Sequence, residues 1–223
     1  MQSTSTEPAV RRALLAGLAA YSIWGLAPLY FKLLQVVRAD EIIAHRVVWS
    51  IGFLTLILLL RHGRGFVQHV RIHRRIAAAL MLSSFLLAIN SLLFIQAVHS
   101  ERVLETSLGY FISPLASVVL GRLFLGEHMI PAQRWAVALA AFGTAYLFFT
   151  IEQLPWFALG IAASWALYGL VRKVTEVGPM VGLLWETILM SPFAIAWLLW
   201  LSHQDWMMFM TGPRGSSWVS GRT

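Results

Sequence analysis

Seven long apolar stretches, separated by short polar links, account for most of this chain: residues 13–34, 42–60, 76–98, 104–126, 135–151, 154–171 and 181–201. A helix needs about 20 mainly apolar residues to cross about 30 Å of hydrocarbon, and each stretch comes close to that. The fifth and sixth are the shortest. The pattern predicts an all-α, multi-pass membrane protein.

Composition sharpens the picture. Hydrophobic residues make up 58% of the chain and charged residues 12%, about half the usual share, with a mean hydropathy of +0.71. So few charges could not cover the surface of one large soluble helical core. Cysteine is absent, which removes disulfides, thiolate nucleophiles and Cys-based metal sites. Arg11 and Arg12 followed by an apolar run resemble a signal peptide, but the run is too long and further spans follow, so an uncleaved first helix is expected.

The net charge of +7 would suggest nucleic acid in a soluble protein, but here placement decides. With the N-terminus in the cytoplasm, the inner segments hold Arg11, Arg12, Arg61, Arg64, Arg71, Arg74, Arg75, Arg134, Arg172 and Lys173. The outer loops hold only Arg38, beside Asp40 and Glu41, and Arg102, beside Glu101. Basic residues in short loops resist translocation, so this bias sets the orientation. The Arg/His-rich link from Arg61 to Arg75 is accordingly a topogenic loop close to anionic lipid rather than a nucleic-acid patch.

An internal repeat is also visible. Ser22-Ile23-Trp24-Gly25-Leu26 in the first span and Ala166-Leu167-Tyr168-Gly169-Leu170 in the sixth align aromatic-Gly-Leu on aromatic-Gly-Leu. Five spans per copy is odd, so the second copy would enter the membrane inverted, a common construction of secondary transporters. Residues 13–151 would form a five-helix repeat and 154–201 the first two helices of an inverted second one. Residues 202–223 would be a polar, Gly/Ser-rich tail, so the second copy is expected to be incomplete.

Several segments resemble RarD-type permeases of the EamA branch of the drug/metabolite transporter superfamily. They are Ala44-His45-Arg46-Val47-Val48-Trp49-Ser50, Glu105-Thr106-Ser107-Leu108-Gly109-Tyr110-Phe111-Ile112-Ser113-Pro114-Leu115, Tyr168-Gly169-Leu170-Val171-Arg172-Lys173 and Glu186-Thr187. The similarity runs in register from about residue 15 to about residue 200. It implies a bacterial inner-membrane permease of two five-helix halves and, through the family name, a link to chloramphenicol sensitivity or resistance. It also implies that three further spans are missing from the second half, which bears on activity.

Candidate functional residues follow from charge inside apolar spans, which is costly and therefore informative. Lys32 near the outer end of the first span, His45 and Arg46 about a turn into the second, and Glu105 opening the fourth share one depth. Glu105 paired with Arg46 or Lys32 would close the outer mouth of a cavity; simple snorkelling of the two cations is the plainer role. Glu186 lies about a turn into the seventh span, with Arg172 and Lys173 expected at the cytoplasmic surface and no cation at its own depth. Helix-end stabilisation is its plainer role. A carboxyl that loses and regains a proton there would let a proton gradient drive a solute. Asn90, mid-depth in the third span, binds a solute or, more simply, joins two helices. Trp24, Tyr110 and Trp165 could stack on an aromatic or cationic solute, though packing is the commoner use. Gly109, Ser113, Ser117 and Gly121 stack at i, i+4 into a small-residue face for close helix packing or, otherwise, for facing a substrate or a homodimer partner, interrupted by Pro114, where a kink is expected.

Other chemistry finds no motif. There is no Gly-x-x-x-x-Gly-Lys-Ser/Thr loop, no His-Glu-x-x-His, no Gly-x-Ser-x-Gly elbow and no lysine in the seventh span for a Schiff base. The expectation is therefore a cofactor-free permease, not an enzyme, moving a small metabolite or drug-like solute by alternating access. The alternative is a membrane fragment or sensor that transports nothing. Reporter fusions test the orientation: those at Arg71 and Glu176 are expected to report cytoplasm and one at Glu101 the outside. A cytoplasmic signal at Glu101 overturns it.

Overall fold

The computed structural model describes residues 6–150, 154–204 and 206–207. These form eight α-helices: α1 (Thr6–Leu33), α2 (Ala39–His62), α3 (Phe66–Val70), α4 (Arg74–His99), α5 (Val103–Leu125), α6 (Pro131–Thr150), α7 (Trp156–Val174) and α8 (Pro179–His203). A 3-10 turn, Gly63–Gly65, leads into α3. Most of the tail that the sequence set apart, from residue 208 on, lies outside the described residues.

Turn chemistry sets the helix ends. Gly126 sits in the left-handed region (φ 65°) and closes α5, where a side chain would be strained. Pro131 and Pro179 occupy the first positions of α6 and α8, where the missing N–H costs nothing. Pro114 and Pro192 lie inside α5 and α8, which continue through them.

Six helices are long and apolar enough to cross a membrane: α1, α2, α4, α5, α7 and α8. The sequence pattern anticipated seven. The stretch at 135–151 does fold as α6, but it is not among the six. Gln133 and Arg134 open it, and Ala, Gly143, Thr144 and Tyr146 dilute its apolar content.

Residues 1–36 form one compact unit, essentially α1, and residues 37–223 another. Taken by itself, α1 is a single helix with mostly exposed side chains and Pro28 within it.

In the second unit, contacts at both ends fix the helix directions. The Phe157 N–H at the start of α7 donates to Glu105 Oε2 (3.2 Å) at the start of α5. Lys173 at the far end of α7 pairs with Glu127, just past the end of α5. The two helices therefore run parallel. Conversely, Trp197 Nε1 donates to Asp40 Oδ2 (3.1 Å), and Arg61 reaches Met180 Sδ (3.5 Å), so α2 and α8 run antiparallel. Between these pairs lies α4, antiparallel to α7.

Small residues set the helix spacing. A side chain on Gly109 would meet the Ala158 carbonyl oxygen at 2.9 Å and Ile161 Cβ at 3.0 Å, so α5 approaches α7 through that glycine. Gly160 admits Leu93 of α4 in the same way. Without a hydrophobic drive between helices in lipid, such close packing supplies much of the attraction. Gly109→Val is expected to destabilise the bundle by about 1–3 kcal/mol, because backbone stands in the way. Thermal unfolding in detergent checks this, with the outward-facing Gly25→Val, which meets nothing, as a neutral control.

Candidate functional site

Several buried polar side chains of the second unit lie on α4, α7 and α8, among them Ser83, Ser84, Asn90, Ser164 and Glu186. Asn90 on α4 is almost fully buried, and its amide donates to the Ile161 carbonyl (3.0 Å) and to Ser164 Oγ (3.1 Å) on α7. Both amide hydrogens are thereby used to join two helices. Beside this joint, aromatic rings line up across three helices: Phe94 to Tyr110 (5.9 Å between centroids), Tyr110 edge-on to Trp165 (6.3 Å), and Trp165 to Tyr168 (5.5 Å). Tyr110 and Trp165, read from the sequence as possible solute platforms, thus pack on one another.

The aromatic row ends at a charged cluster. Glu186 on α8 is 2% exposed. Its Oε1 accepts a hydrogen bond from Ser83 Oγ of α4 (2.5 Å) and lies 3.7 Å from Arg172 Nε of α7. The sequence placed Arg172 at the membrane surface and left Glu186 without a cation; the structure corrects this. Arg172 folds back along α7, half-buried, and its guanidinium lies over Gly182, where any side chain would collide with it. Gly182 stands one turn before Glu186 on the same face of α8. The glycine makes the room and the carboxylate draws the charge into it.

The two oxygens of Glu186 differ. Oε1 holds the cluster together, whereas Oε2 has no hydrogen-bond partner among the described residues. Glu186 also lines a cavity of about 140 Å³ between α2, α4 and α8, whose mostly apolar wall carries polar groups from Arg46, Ser50, Ser84, Ser91 and Thr187. Ile43, Val47, Ala88 and Met190 are shared with a wider apolar groove of about 820 Å³, lined among others by Met81, Phe85, Phe193 and Trp197. A pocket too small for a whole drug-sized molecule thus shares its wall with apolar space of that size.

The remaining sequence candidates fall elsewhere. Glu105 takes Arg102, one turn earlier, and the Phe157 N–H, so the partner anticipated in Arg46 or Lys32 is replaced by local groups and a helix N-terminus. Arg46 instead lines the small cavity with Glu186. Lys32 ends α1, in the other unit. His45 Nε2 lies 4.0 Å from Oε1 of Glu41, a fully buried carboxylate that sequence reasoning passed over. Of the small-residue face, Gly109, Ser113 and Gly121 are buried and Ser117 is exposed. The Ser113 and Ser117 hydroxyls donate to the carbonyls of Gly109 and Ser113 on their own helix (2.8 Å each). Ser83 and Gly182 were also missed. Ser83 lies two turns from Asn90 on one face of α4, and Gly182 one turn from Glu186, and those spacings were the available signal.

Comparison with known proteins bears on this geometry. The profile of the EamA-like transporter family matches residues 11–149. An uncharacterized transporter of Pseudomonas aeruginosa is 42% identical over 86% of this chain and 65% of its own length. The proteins named RarD of Salmonella typhimurium and Escherichia coli are 46% and 44% identical, each over 84% of this chain and 64% of their own. The chain therefore spans just under two thirds of the length of these relatives. No solved structure matches it.

Proposed function

The chain belongs to the EamA-like transporter family, and from that premise we propose that it moves a small amphiphilic solute across a bacterial inner membrane by alternating access. The observation that carries this reading is the small cavity that holds Glu186 and Arg46 and shares its wall with the apolar groove between α2, α4 and α8. A solute with a polar head and an apolar body suits that pair of spaces. Glu186 Oε2 offers an acceptor to a donor group, and the Arg46 guanidinium a donor to an acceptor.

In this reading the Ser83–Glu186–Arg172 cluster is the closure at the arginine-rich end. It ties α4, α7 and α8 together at a single carboxylate, so opening that end requires Glu186 to release Arg172. Protonation of Glu186 cancels the charge that holds the guanidinium, which couples opening to a proton. Glu105 acts as a strap between α5 and α7 at the opposite end, and Asn90 as a fixed joint.

Seven crossings are part of the proposal. Since α5 and α7 run parallel, the chain leaving one end of α5 must return to the other side before α7 begins. α6, at 20 residues, is about 30 Å long at about 1.5 Å per residue, enough for that return. With α6 counted, five spans precede α7, so a second repeat beginning at α7 would enter the membrane inverted.

Accumulation of radiolabelled chloramphenicol, the probe that the family resemblance suggests, tests the reading. Cells producing the chain, or a version extended to its relatives' length, are expected to differ from empty-vector cells in a pH-dependent way. Glu186→Gln is expected to abolish the pH dependence at near-normal expression, since the amide can still accept from Ser83. Unchanged pH-dependent transport in Glu186→Gln contradicts the proton role.

A further inference from the structure

The link between α2 and α4 is not a bare turn. From Arg61 to Arg75 it carries five arginines and three histidines, and no acidic residue occurs anywhere between Glu41 and Glu101. It folds as the 3-10 turn and α3, a short arm lying where two membrane helices end and begin. Phe66 and Val70 turn inward onto the core of Leu54, Leu58 and Leu184, whereas Arg61, Arg71, Arg74, Arg75, His69 and His73 are exposed. His73, Arg74 and Arg75 rim an open recess at the start of α4. An arm anchored by apolar residues, with its cations turned outward at headgroup depth, fits an anionic phospholipid surface.

One hydrogen bond ties this arm to the charged cluster. Trp185 Nε1 of α8 donates to the Val70 carbonyl at 2.6 Å, and Trp185 is the neighbour of Glu186 in sequence. Arg61 meets Met180 near the start of α8 as well. The first turns of α8, which carry Gly182 and Glu186, are therefore held by the arm at two points.

We propose that the 61–75 arm binds anionic phospholipid headgroups and, through the Trp185–Val70 hydrogen bond, holds the start of α8 in place, so that lipid charge steadies the Glu186 cluster. Lipid binding itself does not depend on what the protein transports. Only the consequence for the cluster touches the transport reading. A basic surface segment gains about 1 kcal/mol per arginine near an anionic membrane, roughly fivefold in affinity. The attraction weakens with salt, because exposed charges are screened beyond about 10 Å at 0.1 M.

The test uses the purified full chain in neutral detergent, with phosphatidylglycerol and phosphatidylcholine as probes. Native mass spectrometry reads the lipid retained, and amide hydrogen exchange reads protection over residues 180–188. The wild type is expected to retain phosphatidylglycerol in preference to phosphatidylcholine, and to gain protection in 180–188 on binding it. The triple variant Arg71→Gln, Arg74→Gln, Arg75→Gln is expected to lose that preference by tenfold or more. Trp185→Phe, which keeps the ring but removes the donor, is expected to retain the lipid preference and lose the lipid-dependent protection. This separates binding from coupling. Equal phosphatidylglycerol retention by the wild type and the triple variant overturns the binding surface. Undiminished lipid-dependent protection in Trp185→Phe overturns the coupling. A variant that fails to fold is recognised by its loss of protection across α4 and α5 and is replaced by the single Arg74→Gln and Arg75→Gln chains, for which a several-fold loss is expected.

Discussion

The second unit depends on how closely α7 approaches its neighbours. Hydrocarbon offers no hydrophobic reward for pairing helices, so attraction comes from backbone-close packing and from polar groups that find no partner in lipid. α7 uses both. Gly109 of α5 lets its backbone in on one side, and Gly160 of α7 itself admits Leu93 of α4 on the other. Asn90 then spends both amide hydrogens on α7 at that crossing. Once α7 is fixed there, its ends take defined positions: Phe157 against Glu105 at one end, Arg172 and Lys173 against Glu186 and Glu127 at the other. The charged cluster is a consequence of that packing.

This order explains why Glu186 can stay buried. A carboxylate in a membrane bundle is costly unless its charge is met by hydrogen bonds and a counter-ion. Ser83 supplies a hydrogen bond from α4 and Arg172 a counter-ion from α7. Because the three groups come from three helices, relative movement of any one disturbs all. This distinguishes Glu186 from Glu105, whose partners are one turn away and at one helix end.

Much of this was legible in the sequence. Long apolar stretches separated by arginine-rich links marked the helices, because bilayer thickness leaves a strong length signal, while short segments such as 44–50 and 105–115 carried the family resemblance. Asn90 and Glu186 stood out because polar groups are rare at such depths. The fifth stretch was less clear, since α6 is rich in alanine and small polar residues and is marked by its position between two parallel helices more than by hydropathy. What was illegible was pairing. Nothing local says that Arg172 turns inward, since that depends on Gly182 leaving space across a helix interface. Glu41 sits beside Asp40 and reads as a loop acid, yet one is fully buried and the other binds Arg38 and Trp197. Contacts between distant residues decide such cases, and a single sequence does not display them.

α7 lies parallel beside α5, with matching ends in contact. The chain has no native cysteine, so paired cysteines report without background. Cysteines replacing Glu105 and Phe157, or Glu127 and Lys173, are predicted to be joined within one chain by a short bismaleimide in native membranes. The crossed pair at Glu105 and Lys173 is predicted to remain unjoined. Efficient joining of the crossed pair, with none in the matched pairs, would contradict the arrangement of α5, α6 and α7 on which the rest is built.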